Sequence, residues 1–198
     1  MWSRALMILS VGALLLTSAC AVSTQITNTP RSTVEQRLLV RAMERAIAGL
    51  DAQQFKGKTV TIDFFGLTAD KDFAKEFVTA WFQSQGVRIA TNASQAQLHL
   101  KVFASALGVD QGQSFFGAPA FTVPLIGFVM PEIPLFKDIK HSGYAEIKIS
   151  TTDVASGDFV SESAPATGKS NHDDYAVLIV IHFTRTDLET PNWSLVNG

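Results

Sequence analysis

The chain has 198 residues, 46 % of them hydrophobic and 17 % charged, and a formal charge of −2. That is enough apolar material for one ordinary globular domain, and it argues against a disordered chain. There is no basic excess and no cluster of Lys and Arg interleaved with aromatics, so nucleic acid is excluded as an expected partner.

Met1-Trp2-Ser3-Arg4 is a short positive opening, and residues 5–16 are almost uninterruptedly apolar. A helix that crosses a bilayer needs about 20 apolar residues, so the run reads as a secretory signal peptide. It ends in Leu16-Thr17-Ser18-Ala19-Cys20, which holds the only cysteine of the chain. These residues resemble the bacterial lipobox, except that Thr17 stands where the usual leucine is and Leu16 lies one place further back. The resemblance implies cleavage between Ala19 and Cys20 and lipid attachment at Cys20, with acyl chains such as palmitate. A lone thiol in an oxidising compartment invites unwanted disulfides, and lipidation removes that liability. Each buried methylene contributes about 0.8 kcal/mol, so several acyl chains anchor the protein firmly. Ala21 rather than Asp follows the cysteine, which by the same resemblance implies sorting to the outer membrane. The competing reading is a soluble periplasmic protein cleaved nearby, with an incidental thiol.

Residues 20–31 are mostly small and polar and read as a lipidated tether. Ser32 and Glu35 have the spacing of a capping box, and Leu39, Met43, Ala46, Ile47 and Leu50 recur at helical intervals, which predicts an amphipathic helix from Ser32 to about Asp51. Thr59-Val60-Thr61-Ile62-Asp63-Phe64-Phe65 is β-branched and aromatic and predicts a strand closed by Gly66. A second helix follows, with Thr68 as its cap and Asp70 and Asp72 near its first turn. Phe73, Phe77, Ala80 and Trp81 form its apolar stripe, and Gly86 its left-handed stop. Residues 87–90 and 97–103 read as two more strands. This order predicts a strand-helix-strand layer of α/β (α+β) class, one sheet covered by two helices.

In the second half, residues 143–152 alternate, Ala155-Ser156-Gly157-Asp158 reads as a turn and Phe159-Val160-Ser161-Glu162 runs back, which predicts an antiparallel hairpin. Residues 175–183, YAVLIVIHF, form a continuous apolar run that reads as a C-terminal strand buried on both faces, with a helix as the open alternative. Together these give a domain over residues 32–187, with residues 188–198 as a tail. Within it, residues 114–136 hold five Phe, four Pro and a single charged carboxylate, Glu132, in the stretch up to Phe136. So proline-rich a segment is expected to be neither a regular helix nor a central strand. It reads either as a loop packed on its own core or as a surface that meets a membrane, another subunit or an apolar ligand. The candidate contact residues are Phe115, Phe116, Phe121, Leu125, Ile126, Phe128, Met130 and Phe136.

Residues that carry chemistry are sparse. Thr167-Gly168-Lys169-Ser170 ends like a phosphate loop, but position 163 is Ser where the motif needs Gly. Asn171-His172-Asp173-Asp174 reads as a solvated turn rather than a metal site, and His182 as a hydrogen-bonded core residue. Nothing has the spacing of a serine or cysteine nucleophile with its base. The expectation is a protein that is not an enzyme and needs no cofactor and no metal.

Two resemblances bear on role. Thr27-Asn28-Thr29-Pro30-Arg31-Ser32-Thr33-Val34-Glu35-Gln36-Arg37-Leu38-Leu39 looks like the opening of a family of uncharacterised bacterial lipoproteins that carry a domain of unknown function, which implies no activity. Lys58-Thr59-Val60, Asp70-Lys71-Asp72, Gln85-Gly86-Val87-Arg88-Ile89-Ala90-Thr91 and Ala96-Gln97-Leu98-His99-Leu100-Lys101-Val102 follow in the order seen in the TraT surface-exclusion and complement-resistance lipoproteins. In that family an apolar insertion follows the third strand, and the chains form a ring at the outer membrane. Here the insertion is rich in Phe and Pro instead of Gly and Ala, which disfavours a pair of spanning helices. The curli-secretion lipoproteins share a similar strand-helix-strand layer. The expected role is thus structural, in the assembly of the cell envelope, with the membrane as a partner through the N-terminal lipid and with further copies or other envelope proteins as the rest. A lipoprotein that binds a lipid or other apolar ligand is the alternative.

Overall fold

A computed structural model describes residues 31–125 and 127–188. The signal peptide, Ala19 and Cys20, the tether up to residue 30, Ile126, and residues 189–198 of the expected tail lie outside the described residues. Helix α1, Thr33–Ala48, starts at the expected capping box: the Ser32 hydroxyl accepts the Glu35 N–H at 3.2 Å, and the Glu35 carboxylate accepts the Ser32 N–H at 2.8 Å. It buries Leu38, Leu39, Ala42, Met43, Ala46 and Ile47, one stripe at helical spacing.

Strand β1, Thr59–Gly66, leads into helix α2, Lys71–Ser84, and then a two-residue strand β2, Arg88–Ile89, parallel to β1. Gly86 turns the chain between them with φ +83°, a left-handed conformation that glycine adopts without steric cost. Two expectations for α2 are corrected. Its N-cap is Asp70, and the Thr68 hydroxyl instead accepts the Asp70 N–H at 3.3 Å, shaping the turn before the helix. Its buried stripe is Ala74, Val78 and Phe82, displaced by one position from the expected Phe73, Phe77, Ala80 and Trp81. Phe77 and Trp81 flank the core, while Phe73 is 53 % exposed.

Strand β3, Leu98–Ala118, and strand β6, Ile133–Asp153, pair antiparallel through nearly their whole lengths. At 21 residues each, they reach roughly 70 Å, at about 3.3 Å per residue. Between them a separate small hairpin forms from β4, Phe121–Val123, and β5, Phe128–Met130. Strand β7, Phe159–Glu162, returns along β6 after the expected turn, and β8, Ala166–Val177, and β9, Ile181–Thr186, complete the sheet. The order is β2-β1-β3-β6-β8-β9, with β7 also on β6. The fold is therefore the expected mixed α/β one, a sheet with two helices over one face.

Both helices lie over one half of the sheet. Val60 and Ile62, then Leu98, Leu100 and Val102, then Ala145, Ile147 and Ile149 form one core with the two helix stripes. Glycine sets how near α1 comes: a Cβ on Gly168 would lie 1.9 Å from the Ala42 carbonyl oxygen, and one on Gly143 2.6 Å from that of Leu38. Ser170, fully buried beside them, donates its hydroxyl to the Leu38 carbonyl at 2.7 Å. A register shift at Ser105, between Ala104 and Ala106, exchanges the faces of β3, so that Leu107 and not Ala106 pairs with Ala145.

Beyond the helices, β3, β6, β8 and β9 continue as a four-stranded antiparallel ribbon. Four expectations fail here. Residues 114–136 are mostly strand, because the prolines fall where pairing is interrupted: Pro119, Pro124 and Pro131 lie between strands, and Pro134, opposite Gly117, sits at the register shift that passes over Leu135. The run 175–183 is two strands joined by a turn at residues 178–180, and its residues are half-buried or exposed rather than buried on both faces. His182 is consequently exposed, with its ring nitrogen 3.0 Å from the Ile179 carbonyl oxygen. Residues 171–174 lie inside β8 and do not form a turn.

Candidate functional site: the apolar end of the ribbon

Two hairpins end together at the far end of the ribbon. The first is β3–β6 with the small β4–β5 hairpin at its tip, where the Gly127 N–H reaches the Val123 carbonyl at 3.0 Å and Gly127 takes φ +62°. The second is β8–β9. Phe136 pairs with Val177, and the Leu178 N–H donates to the Leu135 carbonyl at 2.9 Å, which brings the two ends together. The β8–β9 turn places Leu178 at φ +50° and Ile179 at φ +70°. Left-handed backbone is uncommon for any residue with a Cβ and strained for a β-branched one.

Those turns carry apolar side chains into solvent. Leu125 is 95 % exposed, Val180 79 % and Phe116 68 %, and Phe121, Phe128, Val129, Leu135, Phe136, Leu178, Ile179, Ile181 and Phe183 are all exposed. The Tyr175 and Phe183 rings stack across the strands at 4.9 Å, just below the turn. Large contiguous apolar patches are rare on soluble proteins and mark candidate contact surfaces.

The expected contact residues Phe116, Phe121, Leu125, Phe128 and Phe136 are exposed at this end, and Phe115 and Met130 are half-buried there. The sequence reading missed residues 178–181 and Phe183. Their run contains no Gly, Pro, Asn or Asp, so no turn residue marks the reversal.

The apolar end stops abruptly. One step down the strands, Ser114 pairs with Asp138, and two residues further Gly112, Lys140, Asp173 and Arg185 lie side by side across the four strands. Asp138 is buried, accepts the Ser114 N–H at 2.8 Å and pairs with Lys140 at 3.1 Å. Hydrogen bonding from the Ser114 side chain, then Lys140, hold its carboxyl below the usual carboxylate range against a smaller opposing effect of burial, and the Ser114 N–H lowers it a little further. Asp138 raises the Lys140 ammonium in return. Polar groups occupy both faces of the ribbon at this level, Gln111, Gln113 and His141 on one and Asp110, Lys140 and Asp173 on the other. A strand that spans a bilayer needs an outward apolar band about 25 Å tall. The ribbon instead has an apolar end above two wet faces.

Elsewhere the chemistry is modest. His99 lies 2.8 Å from Asp63 on the open face of the sheet, between its cross-strand neighbours Thr61 and Thr152. Among the described residues no group of three or more His, Cys, Asp or Glu is placed to hold a metal ion, and no helix is long and apolar enough to cross a membrane.

No family model and no curated protein matches the chain. Among solved structures it is similar to lipoprotein GNA1162 of Neisseria meningitidis, at 5 % identity and a TM-score of 0.35, over 70 % of this chain and 90 % of that one. It is also similar to a hemagglutinin homolog of Helicobacter pylori, at 12 % identity and a TM-score of 0.33, over 67 % and 74 % of the two chains. Likenesses this distant carry no conclusion about role.

Proposed function

We propose that this is a non-enzymatic lipoprotein of the bacterial cell envelope, held at the outer membrane by lipid on Cys20, which works in envelope structure by setting the end of its ribbon into a bilayer. The observation that carries the reading is the convergence of two apolar hairpin ends on one site above a charged row. Such an end can enter the headgroup and upper acyl region, where burial of each large side chain contributes about 1.5–3 kcal/mol.

Assembly from several copies is part of the proposal. Pairing of β3 with β1 stops at Ala104, so the ribbon part of β3 has an open edge, and β9 is the opposite edge. The two edges run in opposite directions, contain no proline and carry Asp110 on one and Arg185 on the other. Open edges of this kind pair with another chain unless something blocks them, and a head-to-tail contact of β9 on β3 closes into a ring when its rotation permits.

The test is flotation with vesicles of outer-membrane phospholipid, using the mature chain with Cys20→Ala so that only the ribbon end can bind. We expect co-flotation that disappears in a Leu125→Asp, Val180→Asp double variant with an unchanged circular-dichroism spectrum. Equal flotation of the two proteins, or none for either, defeats the membrane reading. Native mass of the lipidated protein in mild detergent tests the assembly: a discrete multiple is expected, and a monomer with lipid co-purifying in fixed ratio would favour an apolar-ligand carrier instead.

A further inference from the structure

His141 on β6 and His172 on β8 are direct cross-strand partners just beyond the Gly143–Ser170 pair, where the sheet leaves α1. Their rings are 6.3 Å apart between centroids. The Nδ1 atoms of both are buried and have no hydrogen-bond partner. An orphaned buried nitrogen costs about 1–3 kcal/mol, so two facing residues each with one is an arrangement that a shared ligand relieves. Nε2 of His172 lies 3.5 Å from the Asp174 carboxylate, whose other oxygen accepts the Thr184 hydroxyl at 2.5 Å. A proton on Nε2 facing Asp174 leaves the lone pair of His172 on Nδ1, the nitrogen without a partner. Carboxylates behind metal-binding imidazoles fix the tautomer in this way.

We infer that His141 and His172 form a two-histidine site for a divalent transition metal ion, which ties β6 to β8 at the root of the ribbon. With nitrogen–metal bonds of about 2.1 Å and roughly 1.1 Å more to each ring centre, two imidazoles on one ion have centroids about 6.4 Å apart when they lie opposite each other and about 5.2 Å apart at a tetrahedral angle, so the observed separation fits a near-opposite pair, and a tetrahedral ion would draw the rings about 1 Å closer. Asp174 is a positioning residue behind His172 and not a ligand. Water fills the remaining positions, and two imidazoles favour Cu²⁺ over Zn²⁺ and both over the hard cations Mg²⁺ and Ca²⁺.

The experiment is titration of untagged full chain with Zn²⁺ alone and Cu²⁺ alone, followed by calorimetry and thermal unfolding. One equivalent per chain is expected, tighter for Cu²⁺, with a rise in Tm at metal excess and no response to Mg²⁺. Binding should vanish in both His141→Ala and His172→Gln and weaken ~10–100-fold in Asp174→Asn, and remain intact in His182→Ala and His99→Ala. No bound equivalent, or binding that survives either substitution of the pair in a protein with unchanged circular dichroism, overturns the site and leaves water as the partner of both nitrogens.

Discussion

The same strands, β3, β6 and β8, run through two regions that differ in what covers them. Under the helices their inward side chains are Leu100, Val102, Ala145, Ile147 and Ala166, all nearly inaccessible to water. In the ribbon the corresponding positions are Gln111 and Gln113, exposed, and His141 and Asp174, half-buried, all of them polar. The stability of the domain therefore resides in the first region, while the second is held by backbone pairing and carries the exposed apolar end. Substituting one phenylalanine in each region separates the two most sharply. Phe82 is completely buried and meets Phe55 edge-on at 5.9 Å and Trp81 at 4.9 Å, so Phe82→Ala should cost about 3–5 kcal/mol in chemical denaturation. Phe128→Ala at the ribbon end should stay within about 0.5 kcal/mol while weakening vesicle binding. Comparable destabilisation by both would mean that the ribbon end is packed in solution, and the contrast between the regions would be lost.

Glycine divides them next. Gly168→Ala places a methyl group 1.9 Å from the Ala42 carbonyl oxygen and 2.5 Å from the Ala46 nitrogen. Both are helix backbone that moves only if α1 lifts from the sheet, so we expect a loss of about 1–3 kcal/mol. Gly112→Ala, on the same sheet but in the ribbon, meets nothing within 4 Å. Its stability should hold or rise by up to about 1 kcal/mol through the entropy of the unfolded chain. Equal losses at the two glycines in matched denaturant titrations would show that the ribbon too is closely covered.

The same division decides what was legible in the sequence. The covered half was readable because burial imposes a period: the Ser32 box and the α1 stripe, β1, the alternation of residues 97–103 and 143–152, and the turn before β7 all appear as expected. The stripe of α2 slipped by one position because aromatics occupy both Phe77 and Val78 neighbourhoods of the helix, so hydrophobicity alone did not select the buried column. The ribbon has water on both faces, so nothing forces residues 105–114 or 133–142 to alternate, and the strands there went unread. Its apolar character was legible at residues 114–136 but not its strand structure, since pairing through backbone groups leaves no mark on side-chain pattern. At residues 178–180 the chain reverses through apolar residues in left-handed backbone, a choice that local propensity opposes. Sequences break local rules of this kind chiefly at functional or strained sites, which agrees with placing the site at that turn.

The smallest expected effect lies where the ribbon passes from charged to apolar. Asp138 is the buried carboxylate there, and its pKa is depressed by hydrogen bonding from the Ser114 side chain first and by Lys140 second, with the Ser114 N–H adding less. A carboxyl whose folded pKa is depressed contributes stability that is fully present above its unfolded pKa and is lost as pH falls through the folded value. The contribution of Asp138 is therefore complete at neutral pH and disappears only in acid, below the ordinary carboxylate value of 3.8. Because Asp138 closes the ribbon and no part of the helix-covered core touches it through a hydrogen bond or ion pair of those described, acid should loosen the pairing of Ser114 with Asp138 before α1 lifts from Gly143 and Gly168. Amide NMR reads both in one titration. The Ser114 amide shift should move with a midpoint below 3.8, ahead of the Leu39 and Ala42 amides, and Asp138→Asn should abolish that movement while the helix signals keep their own midpoint. A Ser114 midpoint at the ordinary value would mean that solvent, not Ser114 and Lys140, surrounds the carboxylate; simultaneous loss of the helix signals would mean that ribbon and body unfold as one unit.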